Sequence, residues 1–166
     1  MSDIKSELFD GLSQQDTDLV MALGTRSILP SGSVLFNLGD RADRIFIIER
    51  GRVALTLPIQ VLDHSEDVLL EERVPGQAVG WSALTPPHHF TLKGVAVFET
   101  ELLAFSRTAL SDHFAAHPAV GHTIMRNVAA TVGQRLQVVQ TMWLREMQRV
   151  VATRLGTPLG VQGTVR

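Results

Sequence analysis

The stretch that decides the fold is RIFIIERGRV, which occupies residues 44 to 53. Its central residues, Ile45 to Ile48, are consecutive apolar residues of the types that favour β-strands. Arg50 and Gly51 then predict a tight turn, because glycine readily adopts the positive φ angles that such turns require. The residues that follow, Val53 to Leu57, again favour a strand, so the sequence predicts two strands joined by a short connection.

Short strand-like runs separated by turn residues continue on both sides of this stretch. The further runs are Ser27–Leu29, Val34–Phe36, Val68–Val74, Thr91–Val97 and Thr100–Ser106. The turn signals are Pro30-Ser31-Gly32, Gly39-Asp40 and Pro75-Gly76. The segment from Asp63 to Asp67 predicts a polar hairpin tip. About eight short strands over residues 26–106 are typical of a sandwich, a barrel or a jelly roll.

A helix is predicted before the strands, within residues 1–25. Ser13 followed by Asp16 resembles a capping box, and Gly24 is a typical stop signal. The apolar residues at helical spacing between them are Leu19, Val20 and Leu23.

Two helices are predicted after the strands, within residues 107–156. Residues Thr108 to Ala116 predict a short helix, and Pro118 then occupies the first position of a second one. The second pattern runs to Gly156, which is about 37 residues, or roughly 55 Å at the rise of an α-helix.

The long helix carries an apolar seam that predicts a homodimer. The seam residues, at alternating steps of three and four, are Val132, Leu136, Val139, Trp143 and Val150. Ala129 precedes them, and Glu146 is one break. This spacing is typical of a two-stranded coiled coil. The alternative is a helix that lies back against its own strands, but the seam continues past any surface that those strands could offer.

Composition indicates a globular protein without thiol chemistry. The chain has 166 residues, of which 45% are hydrophobic and 19% charged, and its net charge is −2. That balance requires neither nucleic acid nor an anionic membrane as a partner. The chain has no cysteine, which excludes disulfides and thiolate metal sites. We see neither a signal peptide in residues 1–7 nor a membrane span, so we expect a cytoplasmic protein.

Several motifs in a fixed order carry a resemblance to a known family. They are Pro30–Phe36, Gly39–Asp43, Ile45–Val53, Pro75–Gly80 and Glu101–Phe105. Together they resemble the cyclic-nucleotide-binding domain of the bacterial Crp/Fnr regulators over residues 8 to about 150. The resemblance implies a mainly β fold with flanking helices, namely a double-stranded β-helix (jelly roll or β-roll) followed by a long dimerisation helix. We therefore expect one such domain over residues 1–156.

The resemblance also indicates a candidate ligand site in residues 80–91, which we call the cassette. In the family, backbone amides and an arginine of this segment bind the cyclic phosphate, and a glutamate accepts the ribose hydroxyl. Here Trp81 stands at the glutamate position, and either His89 or Phe90 stands at the arginine position. The candidate ligand-binding residues of the cassette are Gly80, Trp81, Ser82, Ala83, Leu84, His89, Phe90 and Thr91. On the long helix, Val139 and Gln140 stand where the resemblance implies hydroxyls that face the adenine.

Three interpretations of this changed cassette stay open. In the first, the pocket is adapted to a different and more apolar small ligand, with Trp81 and Phe90 as its walls. In the second, the chain's own side chains fill the pocket, which leaves a structural dimerisation module. In the third, the domain binds cyclic AMP after all, since Ser82, Thr91 and Lys93 could still hold an anion. Cofactors are not expected, and the ligand stays unnamed.

The output of such a domain is expected to pass to a partner protein. Family regulators continue after the long helix into a helix-turn-helix that enters the DNA major groove. Here residues 157–166 form a Gly-rich tail without periodicity, which we expect to be mobile and too short for such a module. We therefore expect a regulatory dimer without a DNA-binding module.

Histidine provides the first alternative candidates. His113 and His117 have the i, i+4 spacing that metal ligands often have, and His122 follows. The pair His88-His89 could present an axial haem ligand. Neither group has the further ligands of a known motif, so we expect no metal.

Catalysis and membrane binding are the remaining alternatives. Asp63-His64-Ser65 has the residue types of a hydrolase triad, but adjacent residues cannot converge their side chains, so we expect no enzyme. The long helix also carries five arginines that could face an anionic membrane or an acidic partner, or only solvent. They are Arg126, Arg135, Arg145, Arg149 and Arg154.

Overall fold

The computed structural model describes residues 5–156 of the chain. The chain divides into two compact units, and the division falls after Val128. The first unit contains every strand found between residues 5 and 156, and the second begins within the last helix of that range. The predicted mobile tail, residues 157–166, lies outside the described residues.

Eight antiparallel strands form two four-stranded sheets in the first unit. They are β1 (Thr25–Leu29), β2 (Val34–Phe36), β3 (Arg44–Arg50), β4 (Val53–Val61), β5 (His64–Arg73), β6 (Ala78–Val79), β7 (Lys93–Ala96) and β8 (Thr100–Ser106). The first sheet has the order β1-β8-β3-β6 and the second has the order β2-β7-β4-β5. Because most neighbours in a sheet are distant in sequence, the chain alternates between the two sheets, as in a jelly roll. This is the predicted fold.

Strand β3 lies at the centre of the core because both of its faces are covered. Ile45 to Ile48 are all buried, although successive side chains of a strand point to opposite faces. On one face, the Phe46 ring lies 6.3 Å from the ring of Phe36 in the second sheet. On the other side of the same sheet, Phe105 of β8 meets Phe9 edge to face, with ring centroids 6.2 Å apart. The apolar run that decides the fold is therefore an interior strand.

Within residues 5–156 the chain also has three α-helices. They are α1 (Gln14–Met21), α2 (Arg107–Ala116) and α3 (Pro118–Arg154). The predicted cap of α1 is confirmed, because the Ser13 hydroxyl oxygen accepts a hydrogen bond from the Asp16 backbone nitrogen at 3.1 Å. The long helix has 37 residues, as the sequence predicted. None of the helices within residues 5–156 combines the length and hydropathy that crossing a membrane requires.

The prediction for the connection between β4 and β5 was wrong. The segment from Asp63 to Asp67 was predicted to be a polar hairpin tip, but β4 continues to Val61 and β5 begins at His64. Val61 pairs directly with His64, so the connection is only Leu62 and Asp63. Backbone hydrogen bonds hold this pairing whatever the polarity of the side chains. Because these residues are exposed, their polar side chains are compatible with a strand, and polarity alone did not indicate a turn.

The second unit leaves the residues of the predicted seam largely exposed. Leu136 is 57% exposed and Trp143 is 62% exposed, and Val139 is exposed as well. Val132 and Val150 are half-buried. Burying apolar side chains of this size is favourable, and that free energy is not gained while they stay in water.

Candidate functional site

The backbone of the cassette begins in a conformation that favours glycine. Gly80 has a φ of 82° and forms the N-cap of a 3-10 helix that spans Trp81–Ala83. The Gly80 carbonyl accepts a hydrogen bond from the Ala83 nitrogen at 3.0 Å. Ser82 and Ala83 are buried, whereas Trp81 and Leu84 are half-buried. The cassette therefore begins with one turn of 3-10 helix.

The entry to the cassette is held by a buried ion pair with the N-terminal segment. A Glu7 carboxylate oxygen accepts a hydrogen bond from the Ala78 nitrogen at 3.1 Å and also binds the Arg73 guanidinium. Arg73 is only 7% exposed. The Glu7 nitrogen donates to the Gly76 carbonyl at 3.1 Å. These contacts fix the turn that leads into β6, and the sequence did not predict them.

Phe90 fills the space beside the start of the cassette. Its ring is stacked on the ring of Phe36, with centroids 4.0 Å apart and 10° between the planes. A Cβ atom added to Gly80 would lie 3.1 Å from Phe90 Cε1, so this ring packs directly against the Gly80 backbone. Phe90 is only 6% exposed. An apolar ring therefore lies at one of the two positions to which the resemblance assigns the phosphate-binding arginine.

The backbone holds Phe90 in this position. The Phe90 nitrogen donates to the Asp40 carbonyl at 2.9 Å, and its carbonyl accepts from the Gly39 nitrogen at 2.8 Å. The preceding residue, His89, is exposed, and its Nδ1 lies 3.1 Å from the Gly39 carbonyl oxygen. Of the two candidates for the arginine position, Phe90 is therefore the one that packs inside.

The polar groups expected to help hold an anion differ in their burial and in their pairing. Ser82 is buried, but Thr91 is exposed. Lys93 Nζ lies 2.6 Å from Asp67 Oδ2 on β5, so its charge is already paired. Because Asp67 offsets the charge of Lys93, this lysine would attract an anion at the cassette much less than an unpaired lysine would.

A small cavity opens beside the stacked rings. It has a volume of about 290 Å³, and Phe36, Phe46 and Phe90 line it together with the charged side chains of its rim. The charged lining residues are Asp40, Arg41, Asp43 and Arg44. Because two carboxylates accompany the two guanidinium groups, this cavity has no net preference for an anion.

The two helix positions predicted to face the ligand belong to the second unit. Val139 and Gln140 lie on α3 after Val128, and both are exposed. Their part in ligand binding stays a prediction.

The alternative sites suggested by the sequence find little support. The rings of His113 and His117 lie 4.5 Å apart and are tilted by 36°. Within residues 5–156, no three histidine or carboxylate side chains are grouped as metal ligands. His64 and Ser65 are successive residues of β5, and Asp63 precedes them in the turn. Successive strand residues point to opposite faces, so these residue types do not form a catalytic triad.

Sequence reasoning identified Phe90 but missed its partner Phe36. The sequence contains one usable signal, because Phe36 ends a predicted strand next to the Gly39-Asp40 turn. That signal indicates an inward side chain but not its neighbour, since the contact joins segments that are distant along the chain.

Comparison with known proteins matches the described fold. The sequence model of the cyclic nucleotide-binding domain matches residues 26–117. The chain is 29% identical over 132 residues to the cyclic AMP receptor protein of Thermus thermophilus, covering 80% of this chain and 58% of that protein. It is 30% identical over 135 residues to glutaminase 1 of Bradyrhizobium diazoefficiens, covering 79% of this chain and 20% of that protein. The chain thus spans less than two thirds of either relative.

A solved structure shows the same architecture. The crystal structure of the Thermus thermophilus catabolite activator protein matches with a TM-score of 0.70 at 26% sequence identity. The match covers 86% of this chain and 63% of that chain. The predicted jelly-roll fold and the predicted resemblance are therefore confirmed.

Proposed function

Because this chain belongs to the family of cyclic nucleotide-binding domains, we propose that it is a non-catalytic regulatory domain whose cassette is closed to cyclic nucleotides. The observation that carries this proposal is the burial of Phe90 against Gly80 and Phe36. The domain acts as a dimer through α3 and passes its signal to a partner protein.

The chemistry of phosphate binding argues against a cyclic nucleotide in this cassette. A hydrogen bond between a guanidinium and a phosphate contributes about 1.5–3 kcal/mol, and a phenyl ring cannot replace it. A phosphate placed at Gly80 would also have to displace Phe90. Exposing a buried phenylalanine side chain costs about 1.5–3 kcal/mol. Both effects weaken binding, and together they correspond to several powers of ten in affinity.

The exposed seam of α3 supports the dimer. Leu136 and Trp143 are large apolar side chains that remain more than half exposed in one chain. They lie seven residues apart, at equivalent positions of a heptad repeat. Contiguous exposed apolar surface of this kind typically marks a contact with another protein. A second copy of α3 would bury it.

A second candidate function is a true cyclic nucleotide sensor. The feature that favours it is the geometry at Gly80, whose left-handed backbone leads into the 3-10 helix of residues 81–83. Backbone amides at the start of such a helix can bind a phosphate without a side-chain cation. In that case Phe90 would have to move away when the nucleotide binds.

Isothermal titration of the protein with cyclic AMP tests the proposal. We expect heats equal to those of dilution. Micromolar binding by the unchanged protein would reject the closed cassette and support the second candidate.

A pair of variants extends this test. The double variant Trp81→Glu and Phe90→Arg restores the two family residues, so we expect it to gain binding of cyclic AMP if it stays folded. Phe98 is 56% exposed, so Trp81→Glu with Phe98→Arg introduces the same side chains without opening the cassette. Thermal melts of both variants separate loss of fold from absence of binding.

A further inference from the structure

A second cleft lies between the end of the cassette and α2, within the first unit. Its volume is about 380 Å³, which is near the lower end of the range for small-molecule pockets, roughly 300–1,000 Å³. His88 of the cassette and four polar residues of α2 line it. Those four residues are Arg107, Thr108, Ser111 and Asp112. The cleft is distinct from the space that Phe90 fills.

His88 is held in an uncommon conformation at one side of this cleft. Its φ is 61°, in the left-handed region that few residues other than glycine adopt. Its nitrogen donates to the Thr85 carbonyl at 3.1 Å, and its carbonyl accepts from the Ala42 nitrogen at 2.8 Å. Backbone strain of this kind persists only where the surroundings fix it, and it often marks ligand sites.

A side-chain contact of His88 determines which nitrogen of its imidazole can accept a hydrogen bond from a ligand. Nδ1 lies 3.1 Å from the Ala83 carbonyl oxygen. A carbonyl oxygen can only accept, so Nδ1 carries the hydrogen. Nε2 of the neutral ring is then a hydrogen-bond acceptor.

Arg107 provides donors on the other side of the cleft. Its backbone nitrogen donates to the Asp43 carbonyl at 2.9 Å, and one of its terminal nitrogens lies 3.0 Å from Asp43 Oδ1. This pairing fixes the guanidinium and leaves further N–H groups of its fork for a ligand. Ser111 on the same helix adds a hydroxyl. The Thr108 hydroxyl lies 2.8 Å from Ser106 Oγ, and it can donate to a ligand when it accepts from Ser106.

Asp112 provides a carboxylate in the same cleft. It is exposed, and it forms no ion pair with any residue between 5 and 156. Leu84 and Phe114 supply apolar surface in the lining. The cleft thus combines fixed donors, unpaired acceptors and an apolar wall.

We propose that this cleft binds a free α-amino acid in its zwitterionic form. The carboxylate of the ligand would accept hydrogen bonds from Arg107 and the α2 hydroxyls. Its ammonium group would donate to Asp112 and to His88 Nε2, and its side chain would pack on the apolar wall. A simple anion would leave Asp112 without a partner, and a simple cation would leave the remaining N–H groups of Arg107 without an acceptor. A zwitterion can satisfy both groups at once.

The test uses the full chain and the twenty protein amino acids as probes. Each is tested by thermal shift at about 10 mM, since weak small-ligand sites have millimolar dissociation constants. Hits are then titrated calorimetrically. We expect at least one amino acid to bind, whereas the matching amine without the carboxylate and the matching acid without the amine bind at least roughly tenfold more weakly.

One variant and its control complete the test. Asp112→Asn removes the charge that pairs with the ammonium, so we expect roughly tenfold weaker binding of the same amino acid. Asp63→Asn changes an exposed carboxylate in the β4–β5 turn and should leave binding unchanged. The proposal is overturned if no amino acid binds, if both analogues bind equally well, or if Asp112→Asn binds as the unchanged chain does. The cyclic AMP titration is independent of all three outcomes.

Discussion

The ring of Phe90 lies parallel to the ring of Phe36, with 4.0 Å between their centroids. This contact joins the cassette to β2, which belongs to the second sheet. Both rings are buried, and Phe36 also contacts Phe46 of the first sheet. The position that the resemblance assigns to ligand recognition is therefore part of the apolar core in this protein.

The stacked pair should contribute measurably to stability. Phe90→Ala should lower the free energy of unfolding by about 3 kcal/mol, because it leaves a cavity in the core. A double-mutant cycle with Phe36→Ala should give a coupling of about 1 kcal/mol, since the two rings stack directly. Urea denaturation measures both quantities. Phe98→Ala, at an exposed position, is the control and should cost much less; equal losses would contradict a buried role for Phe90.

Gly80 should tolerate a side chain less well than another glycine with a similar backbone. Gly80→Ala places a Cβ in the left-handed region, which costs roughly 1–2 kcal/mol, and brings it 3.1 Å from Phe90 Cε1. Gly32 has a φ of 78° and open space around the added atom. Gly32→Ala should therefore show only the backbone cost. Thermal melting compares the two variants, and a larger loss for Gly32→Ala would argue against the close packing of Phe90 on Gly80.

The ion pair between Glu7 and Arg73 should contribute far more to the free energy of unfolding than an exposed ion pair does. Glu7→Ala leaves the buried Arg73 without its nearest carboxylate and should cost about 3 kcal/mol of unfolding free energy. Glu101 pairs with Arg50 at 3.2 Å on the surface, so Glu101→Ala should cost less than about 1 kcal/mol. Chemical denaturation of the two variants gives the comparison. Similar small losses would mean that the N-terminal segment does not hold the entry to the cassette.

The dimer should depend on the seam of α3. Replacing Leu136 and Val139 with glutamate puts like charges into the predicted contact, so we expect monomers in sedimentation velocity. Replacing Gln137 and Gln148 with glutamate adds the same charge at exposed positions outside the seam, and this control should remain dimeric. A dimer that persists in the seam variant would exclude this contact.

Much of the fold could be predicted because it depends on local patterns. Strands β2 and β8 have the bounds that the sequence predicted, and the Ser13 cap starts α1 as expected. The capping residue and the strand runs act over a few positions, so their effect is visible in the sequence. The β4–β5 tip was mispredicted because the pairing of backbone groups across a hairpin does not require apolar side chains.

The candidate site could be predicted only in part. The resemblance assigned the cassette to residues 80–91 and noted the missing arginine and glutamate. It could not show whether Trp81 and Phe90 line an open pocket or fill it, because that depends on the neighbours of each ring. The partners that decide the point, Phe36 and Gly80, come from different parts of the chain.

The sequence by itself determined the order of most elements and the length of α3, because strand runs, caps and turns are local properties of the chain. The jelly-roll class followed from the resemblance of its motifs to the family. Only the tertiary structure decided that Phe90 rather than His89 turns inward, that Arg73 is buried with Glu7, and that His88 and Asp112 share a cleft. Those relationships arise when segments distant along the chain pack together. Side-chain packing is short-ranged in space but not along the sequence, so no local pattern records it.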